Sequence, residues 1–215
     1  MQSVLSENGA IIIRGVKMEF IEVKRTTPEL ILVKDLHDLH NNKDIKRIIL
    51  ESQDPHHHQT NVKAKMTGWQ MENKHPSFKN LAKNICENYA YEYLIKRFDN
   101  FDDVVRQKIA IVDMWGIIYQ GDGKDHTVPH SHHWNHISFV YYAEADDESS
   151  PLVFTDYDNY SIQPKTGRLV IFDSRAKHYV PPFDSKNTRT VVSGNIQVIN
   201  FALYDKIIQQ MYIQN

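Results

Sequence analysis

Pro129-His130-Ser131-His132-His133-Trp134 is the stretch whose reading decides the fold, because it tells whether its histidines work together or merely crowd a loop. Two imidazoles at i and i+2 project from the same side of an extended chain, so His130 and His132 can face one ion if the segment is strand-like. Five of the 12 histidines lie between His126 and His136, and another, His178, stands apart just after an apolar run that reads as a strand. We read His130, His132 and His178 as a metal site and the remainder of the chain as its scaffold. Neutral imidazoles suit Fe, Zn, Cu, Ni and Co, and three protein ligands leave coordination positions open, which points to catalysis rather than structure.

A His-x-His pair alone is a weak signal. Arg189 strengthens it, coming 11 residues after His178 at the start of a strand. By the period of two, Arg189, Val191, Ser193 and Asn195 share a face, so a guanidinium and a hydroxyl point the same way. Such a pair makes a seat for a carboxylate.

Outward from that centre the chain reads as strand after strand: Ile109 to Tyr119, Ile137 to Tyr142, Leu152 to Thr155, Tyr160 to Gln163, Arg168 to Phe172 and Thr190 to Ile199. Even spacing and Gly, Pro, Asp and Asn separators argue for an antiparallel sandwich or barrel. Pro164-Lys165-Thr166-Gly167 is a turn feeding a strand buried on both faces. Upstream, Lys17 to Val23 and Glu29 to Val33 look like peripheral strands, and Ile45, Ile48 and Ile49 mark a short amphipathic helix over Asn42 to Ser52. Asn61 to Gln70 looks extended. After Pro76-Ser77 comes the clearest helix, with Phe78, Leu81, Ala82, Ile85, Tyr89 and Tyr93 forming one apolar stripe that is packing rather than function. Cys86 beside it reads as a small buried hydrophobe. His56 to His58 read as a solvated loop run. Ala202, Leu203, Ile207, Ile208 and Met211 suggest a C-terminal helix. We therefore expect one domain over 1–215, with supporting strands and helices over 1–107, a β core over 108–199 and a helix over 200–215.

The chain has 215 residues and a formal net charge of −2, so no broad electropositive surface is implied and nucleic acid is not an expected partner. One cysteine excludes an internal disulfide and suits a reducing compartment. The apolar run Ala10 to Ile13 is short for a signal peptide, and no later run could span a bilayer. The expectation is a cytoplasmic protein away from membranes, in a host cell's cytoplasm if phage-encoded.

The order Trp115, Tyr119-Gln120-Gly121-Asp122, Pro129-His130-Ser131-His132, Ser138-Phe139-Val140-Tyr141-Tyr142, Pro164-x-x-Gly167, Phe172-Asp173-Ser174, His178-Tyr179-Val180-Pro181, Arg189 and Gly194-Asn195 resembles the iron(II)- and 2-oxoglutarate-dependent oxygenase superfamily. More narrowly, it is similar to oxygenase-like proteins of marine bacteria and of large tailed phages that infect them. A weaker likeness reaches back to Asn61 through Trp69. The resemblance implies a mainly β fold with flanking helices, a double-stranded β-helix or cupin-like jelly roll, with Fe(II) in its open end. His130 and His178 match the two histidines of the family's metal triad. Arg189 matches the residue that pairs with the distal carboxylate of 2-oxoglutarate, with Ser193 in support. Tyr142 matches a tyrosine touching the same carboxylate, and Tyr119 is a candidate for the other end of the cosubstrate. The implied reaction consumes dioxygen and 2-oxoglutarate, releases succinate and carbon dioxide, and hydroxylates an unidentified substrate.

His132 stands where the family carries a carboxylate. Either it is the third ligand, the reading preferred here, or it turns away and Asp122 or Asp125 supplies the carboxylate. Val191 also departs, standing where many members have a serine. His126, His133 and His136 read as surface residues or as supports that orient the ligands. The loops Gln53 to Trp69 and Trp134 to His136 are expected to shape the substrate entrance. Two rival functions stay open: a cupin-like three-histidine enzyme that uses no oxo acid, and a non-catalytic phage or host interaction protein on the same fold.

Overall fold

The computed structural model describes residues 11–13, 16–23, 29–36, 41–54, 60–98 and 109–198. The triple histidine His56 to His58 and the expected C-terminal helix lie outside these residues. The strands are β1 (Ile11–Ile13), β2 (Val16–Val23), β3 (Glu29–Asp35), β4 (Val62–Lys63), β5 (Lys65–Met66), β6 (Ile109–Tyr119) and β7 (His126–His130). They continue with β8 (Ile137–Glu144), β9 (Leu152–Phe154), β10 (Tyr160–Ile162), β11 (Arg168–Asp173), β12 (His178–Val180) and β13 (Arg189–Val198). The helices are α1 (Asn42–Glu51), α2 (Met71–Lys74), α3 (Pro76–Asn84) and α4 (Tyr91–Phe98), the last two joined by a π-helical stretch, Ile85–Ala90.

Eight strands form one sheet in the order β1-β2-β3-β11-β8-β13-β6-β5, and five form the other in the order β10-β9-β12-β7-β4. From β6 onward the chain crosses between the sheets: β6, β8, β11 and β13 belong to the larger one, β7, β9, β10 and β12 to the smaller. All the pairings are antiparallel. This alternation is the double-stranded β-helix, with its cavity between the sheets.

The period of two divides the core into two layers. Met114 and Ile118 of β6, Phe139 and Tyr141 of β8, Leu169 and Ile171 of β11 and Val192 of β13 face the helices. Trp115, Ile117, Tyr119, Val140, Tyr142, Val170, Phe172 and Val191 face the smaller sheet. The β11 strand is thus buried on both faces, as its apolar run implies. The glycine before it, Gly167, has φ +83° and lies so close to Leu36 that a Cβ would fall 2.6 Å from the Leu36 carbonyl oxygen.

Helix α1 begins where the Asn41 side chain accepts from the Asp44 amide at 3.1 Å. It buries Ile45, Ile48 and Ile49 against the larger sheet. Ile49 fills the space that Gly116 leaves on β6, and any Cβ at 116 would collide with it. In the long helix Phe78, Leu81, Ala82, Ile85, Tyr89 and Tyr93 are all buried, as the stripe predicts. A repeat of four drifts around an α-helix of 3.6 residues per turn, and the wider π turns bring Ile85, Tyr89 and Tyr93 back to one face. Cys86 is half-buried, and burial pushes its thiol up to about 11, which makes it inert at neutral pH. The first strands are less peripheral than expected, since β3 pairs directly with β11. The extended segment Asn61 to Gln70 forms only the two-residue strands β4 and β5. No helix among the described residues is long and apolar enough to cross a membrane.

Candidate metal centre

His130 ends β7 and His178 begins β12, and the two are direct cross-strand partners in the smaller sheet. Their rings lie 4.5 Å apart. His132 sits in the turn after β7, fixed by its own amide, which donates to the Ser174 carbonyl at 2.7 Å. Its ring is 4.8 Å from that of His130 and stacks on His178 at 5.3 Å. One ligand nitrogen from each residue falls within 4.8 Å of the other two.

Local backbone sets the tautomers. His130 Nδ1 is 2.8 Å from the Val128 carbonyl oxygen and His178 Nδ1 is 2.9 Å from that of Ala176, each two residues upstream. A carbonyl can only accept, so each Nδ1 carries the proton and each Nε2 keeps its lone pair. Protonation is opposed throughout the cluster. Burial lowers the His130 pKa, and burial with repulsion from His130 and His133 brings His132 down to about 4. His178, fully enclosed and beside both other rings, falls well below the usual histidine range. At neutral pH all three are uncharged bases, the form that binds a metal ion.

The two aspartates that might have supplied a carboxylate are committed elsewhere. Asp122 Oδ1 accepts from the Lys124 and Asp125 amides at 3.0 and 3.2 Å, and Asp125 Oδ2 accepts from the Gln120 amide at 2.7 Å. Both close the turn from β6 to β7. Among the described residues no carboxylate oxygen joins the histidine group.

Arg189 lies at the other end of the cavity, 1% exposed, on the first residue of β13 opposite Tyr119. Its guanidinium carbon is 4.8 Å from the Tyr119 ring centre and 5.1 Å from that of Tyr142, and Nη2 donates to the Tyr142 hydroxyl at 3.4 Å. Nε and Nη1 are buried with no acceptor among the described residues. A buried cation with idle donors is costly unless an anion completes it.

Ser193 does not join that seat. At about 3.3 Å per residue it lies roughly 13 Å along β13 from Arg189, level with its partner Trp115. Tyr119 was expected at the far end of the cosubstrate, yet its ring lies against Arg189, and its hydroxyl bonds to Thr127 Oγ1 at 2.7 Å. Burial raises the pKa of both tyrosines, so both stay protonated. His130, His132, His178, Tyr119, Arg189 and Ser193 all line one cavity, and the Tyr142 hydroxyl meets Arg189 at its edge.

Of the other histidines, His133 is exposed with Nε2 on Ser131 Oγ at 2.8 Å, and His126 bonds its own turn at Lys124. His136 is buried, contrary to a surface reading, and its Nδ1 accepts from the Val198 amide at 3.2 Å. Asp173 entered the sequence reading only within the motif Phe172-Asp173-Ser174, with no role. This buried carboxylate joins Arg97 of α4 at 2.9 Å to Arg175 at 3.1 Å, next to the Ser174 carbonyl that holds His132.

Residues 114–197 match the family model described as the 2OG-Fe(II) oxygenase superfamily. No curated protein sequence matches the chain. Among solved structures it is similar to the viral collagen prolyl hydroxylase vCPH of Paramecium Bursaria Chlorella virus-1 in complex with 2OG, at 14% identity over 76% of this chain and 94% of that one, TM-score 0.53. A Pseudomonas putida prolyl-4-hydroxylase gives 14% identity, 77% and 91% coverage and TM-score 0.53. EctD from S. alaskensis with bound Fe gives 10% identity, 78% and 72% coverage and TM-score 0.56. At such identities the likeness speaks for the fold.

Proposed function

We propose that this chain, whose residues 114–197 belong to the 2OG-Fe(II) oxygenase superfamily, is an iron(II)- and 2-oxoglutarate-dependent dioxygenase that hydroxylates its primary substrate. One observation carries the reading: a single cavity has three neutral imidazoles at one end and a guanidinium with two idle N–H groups at the other. The donor set fits a divalent first-row metal, because two of the rings have their protonated nitrogens already turned to carbonyls. With His132 in place of a carboxylate, the bound ion keeps one more positive charge, which favours an anionic 2-oxo acid beside it.

In this reading His130, His132 and His178 hold the metal. Arg189 offers Nε and Nη1 to the distal carboxylate of 2-oxoglutarate while Nη2 remains on the Tyr142 hydroxyl. That anchorage aims the 2-oxo end of the molecule at the imidazoles. Tyr119 and Tyr142 flank the guanidinium, and Val62, Leu152, Phe172 and Val180 keep water away from the reacting end. Bound iron(II) supplies dioxygen activation, in which one oxygen atom goes to succinate as carbon dioxide leaves and the other enters the substrate C–H bond.

The test is anaerobic titration of metal-stripped protein with Fe(II), with and without 2-oxoglutarate, watching the visible charge-transfer band of the chelated oxo acid. A band that needs both additions and disappears in Arg189→Ala supports the reading. Metal binding with no band in wild type would favour the cupin-like enzyme, and no metal binding would favour the interaction protein.

A further inference from the structure

Trp115 is 4% exposed and lines the cavity, yet its indole N–H has no acceptor among the described residues. A buried donor left unpaired costs about 1–3 kcal/mol, so its place in a cavity wall asks for an occupant. The position tells which occupant. Trp115 pairs with Ser193 across β6 and β13, whereas Tyr119 pairs with Arg189 four residues away. The Trp115 ring lies 6.0 Å from that of His132. Its ring is therefore on the imidazole side of the cavity, with its backbone roughly 13 Å along the strand from the carboxylate seat. Ser193, 8% exposed and lining the same wall, is its cross-strand neighbour.

Trp69 completes the arrangement. It packs edge-on against Trp115 at 4.7 Å and is 45% exposed, so one side of it meets the buried indole and the other meets solvent. The backbone around it is tied down on both sides. Thr67 exchanges hydrogen bonds with Gly116, its amide donating to the carbonyl at 2.9 Å and its hydroxyl accepting from the amide at 3.0 Å. Met71, 1% exposed, opens α2. The Trp69 ring thus stands between the Trp115 indole and solvent on the side where the two pack.

From this we infer that Trp115 and Ser193 form the primary-substrate subsite, with Trp69 as its aromatic cover, and that the substrate brings a flat, neutral group bearing a hydrogen-bond acceptor such as an amide carbonyl. The inference rests on the function proposed above for which end of the cavity is which. Arg189 takes the distal carboxylate of 2-oxoglutarate, and no further cationic side chain lines the cavity at the Trp115 end to pair a second anion. A neutral carbonyl satisfies the indole N–H, and a flat one fits beside two indoles.

The experiment uses 15N-labelled protein loaded with Zn(II), as a diamagnetic stand-in, and 2-oxoglutarate. The three indole N–H cross-peaks are assigned by Trp→Phe variants. Benzamide, which offers a carbonyl, is titrated against α-methylstyrene, which is neutral, has nearly the same outline and carries a CH2 group in place of the carbonyl oxygen. Benzamide is expected to move the Trp115 peak downfield and to bind about fivefold or more tightly than α-methylstyrene, a preference lost in Trp115→Phe. A static Trp115 peak, equal binding of the two probes, or a preference that survives Trp115→Phe overturns the inference. If Trp115→Phe does not fold, the wild-type peak decides. Repeating the titration without metal or 2-oxoglutarate separates the two ideas: failed loading counts against the proposed reaction, while the Trp115 peak still reports on the subsite.

Discussion

The two ends of the cavity are built by different means. At the imidazole end the tautomers are set by neighbours in sequence, Val128 for His130 and Ala176 for His178, while the pairing of β7 with β12 sets the rings side by side. The guanidinium end depends on long-range packing, because Arg189 is placed by Tyr119 of β6 and Tyr142 of β8. The first end is a set of neutral bases stabilised by desolvation, the second a buried charge kept at desolvation's expense. Each end waits on a partner of opposite character, a cation for the bases and an anion for the guanidinium.

The difference can be broken most sharply at His178. His178→Ala removes a ligand outright, so Fe(II) affinity is expected to fall more than the roughly 10–100-fold that loss of a mere ligand support costs. Isothermal titration under anaerobic conditions measures it. An affinity within threefold of wild type would mean that the histidine group does not hold the metal.

Arg189→Met tests the other end with the opposite sign on stability. Affinity for 2-oxoglutarate is expected to fall by about 2–5 kcal/mol, because a buried anion then has no partner. The ligand-free protein should not lose melting temperature, since the substitution removes an uncompensated buried charge and keeps most of the volume. A clear drop in melting temperature would show that the two tyrosine faces already satisfy the guanidinium.

Between the two in effect stands Asp173, which ties α4 to the turn presenting Ser174. Asp173→Ala leaves two arginines around a buried gap and is expected to cost about 3 kcal/mol in denaturant unfolding. Fe(II) binding should weaken less than in His178→Ala, because the three ligands remain and only the support of His132 is loosened. Equal losses in the two variants would make Asp173 part of the site itself.

The same contrast explains what could be read in the sequence. His130 and His132 at i and i+2, His178 after a strand and Arg189 opening another are local patterns, and the period of two assigned their faces. The apolar stripe from Phe78 to Tyr93 was legible for the same reason, although the π stretch that keeps it straight was not, since periodicity alone does not show where a helix widens. Strand parity brought Ser193 to the correct face but says nothing of depth, and only the pairing with Trp115 shows that it lies far from Arg189. Tyr119 meets Arg189 and Asp173 meets Arg97 through packing between elements distant in sequence. No sequence window contains both members of such a pair.

The smallest expected effect separates the ends by acidity. The three histidines have folded pKa values below the unfolded value of about 6.5, so the unfolded chain binds more protons between that value and the folded ones. Their contribution to the stability of metal-free protein is complete above about 6.5 and is lost as pH falls, through about 4 for His132. Arginine side chains do not titrate in this range and add no slope. Melting temperatures of metal-stripped protein should therefore decline from pH 7 toward pH 5, and His132→Gln should flatten part of that decline. Arg189→Met should leave the slope as it is. A slope unchanged by His132→Gln would place the acid sensitivity outside His132 and overturn the claim that burial and its neighbouring histidines keep that base neutral and ready for a metal.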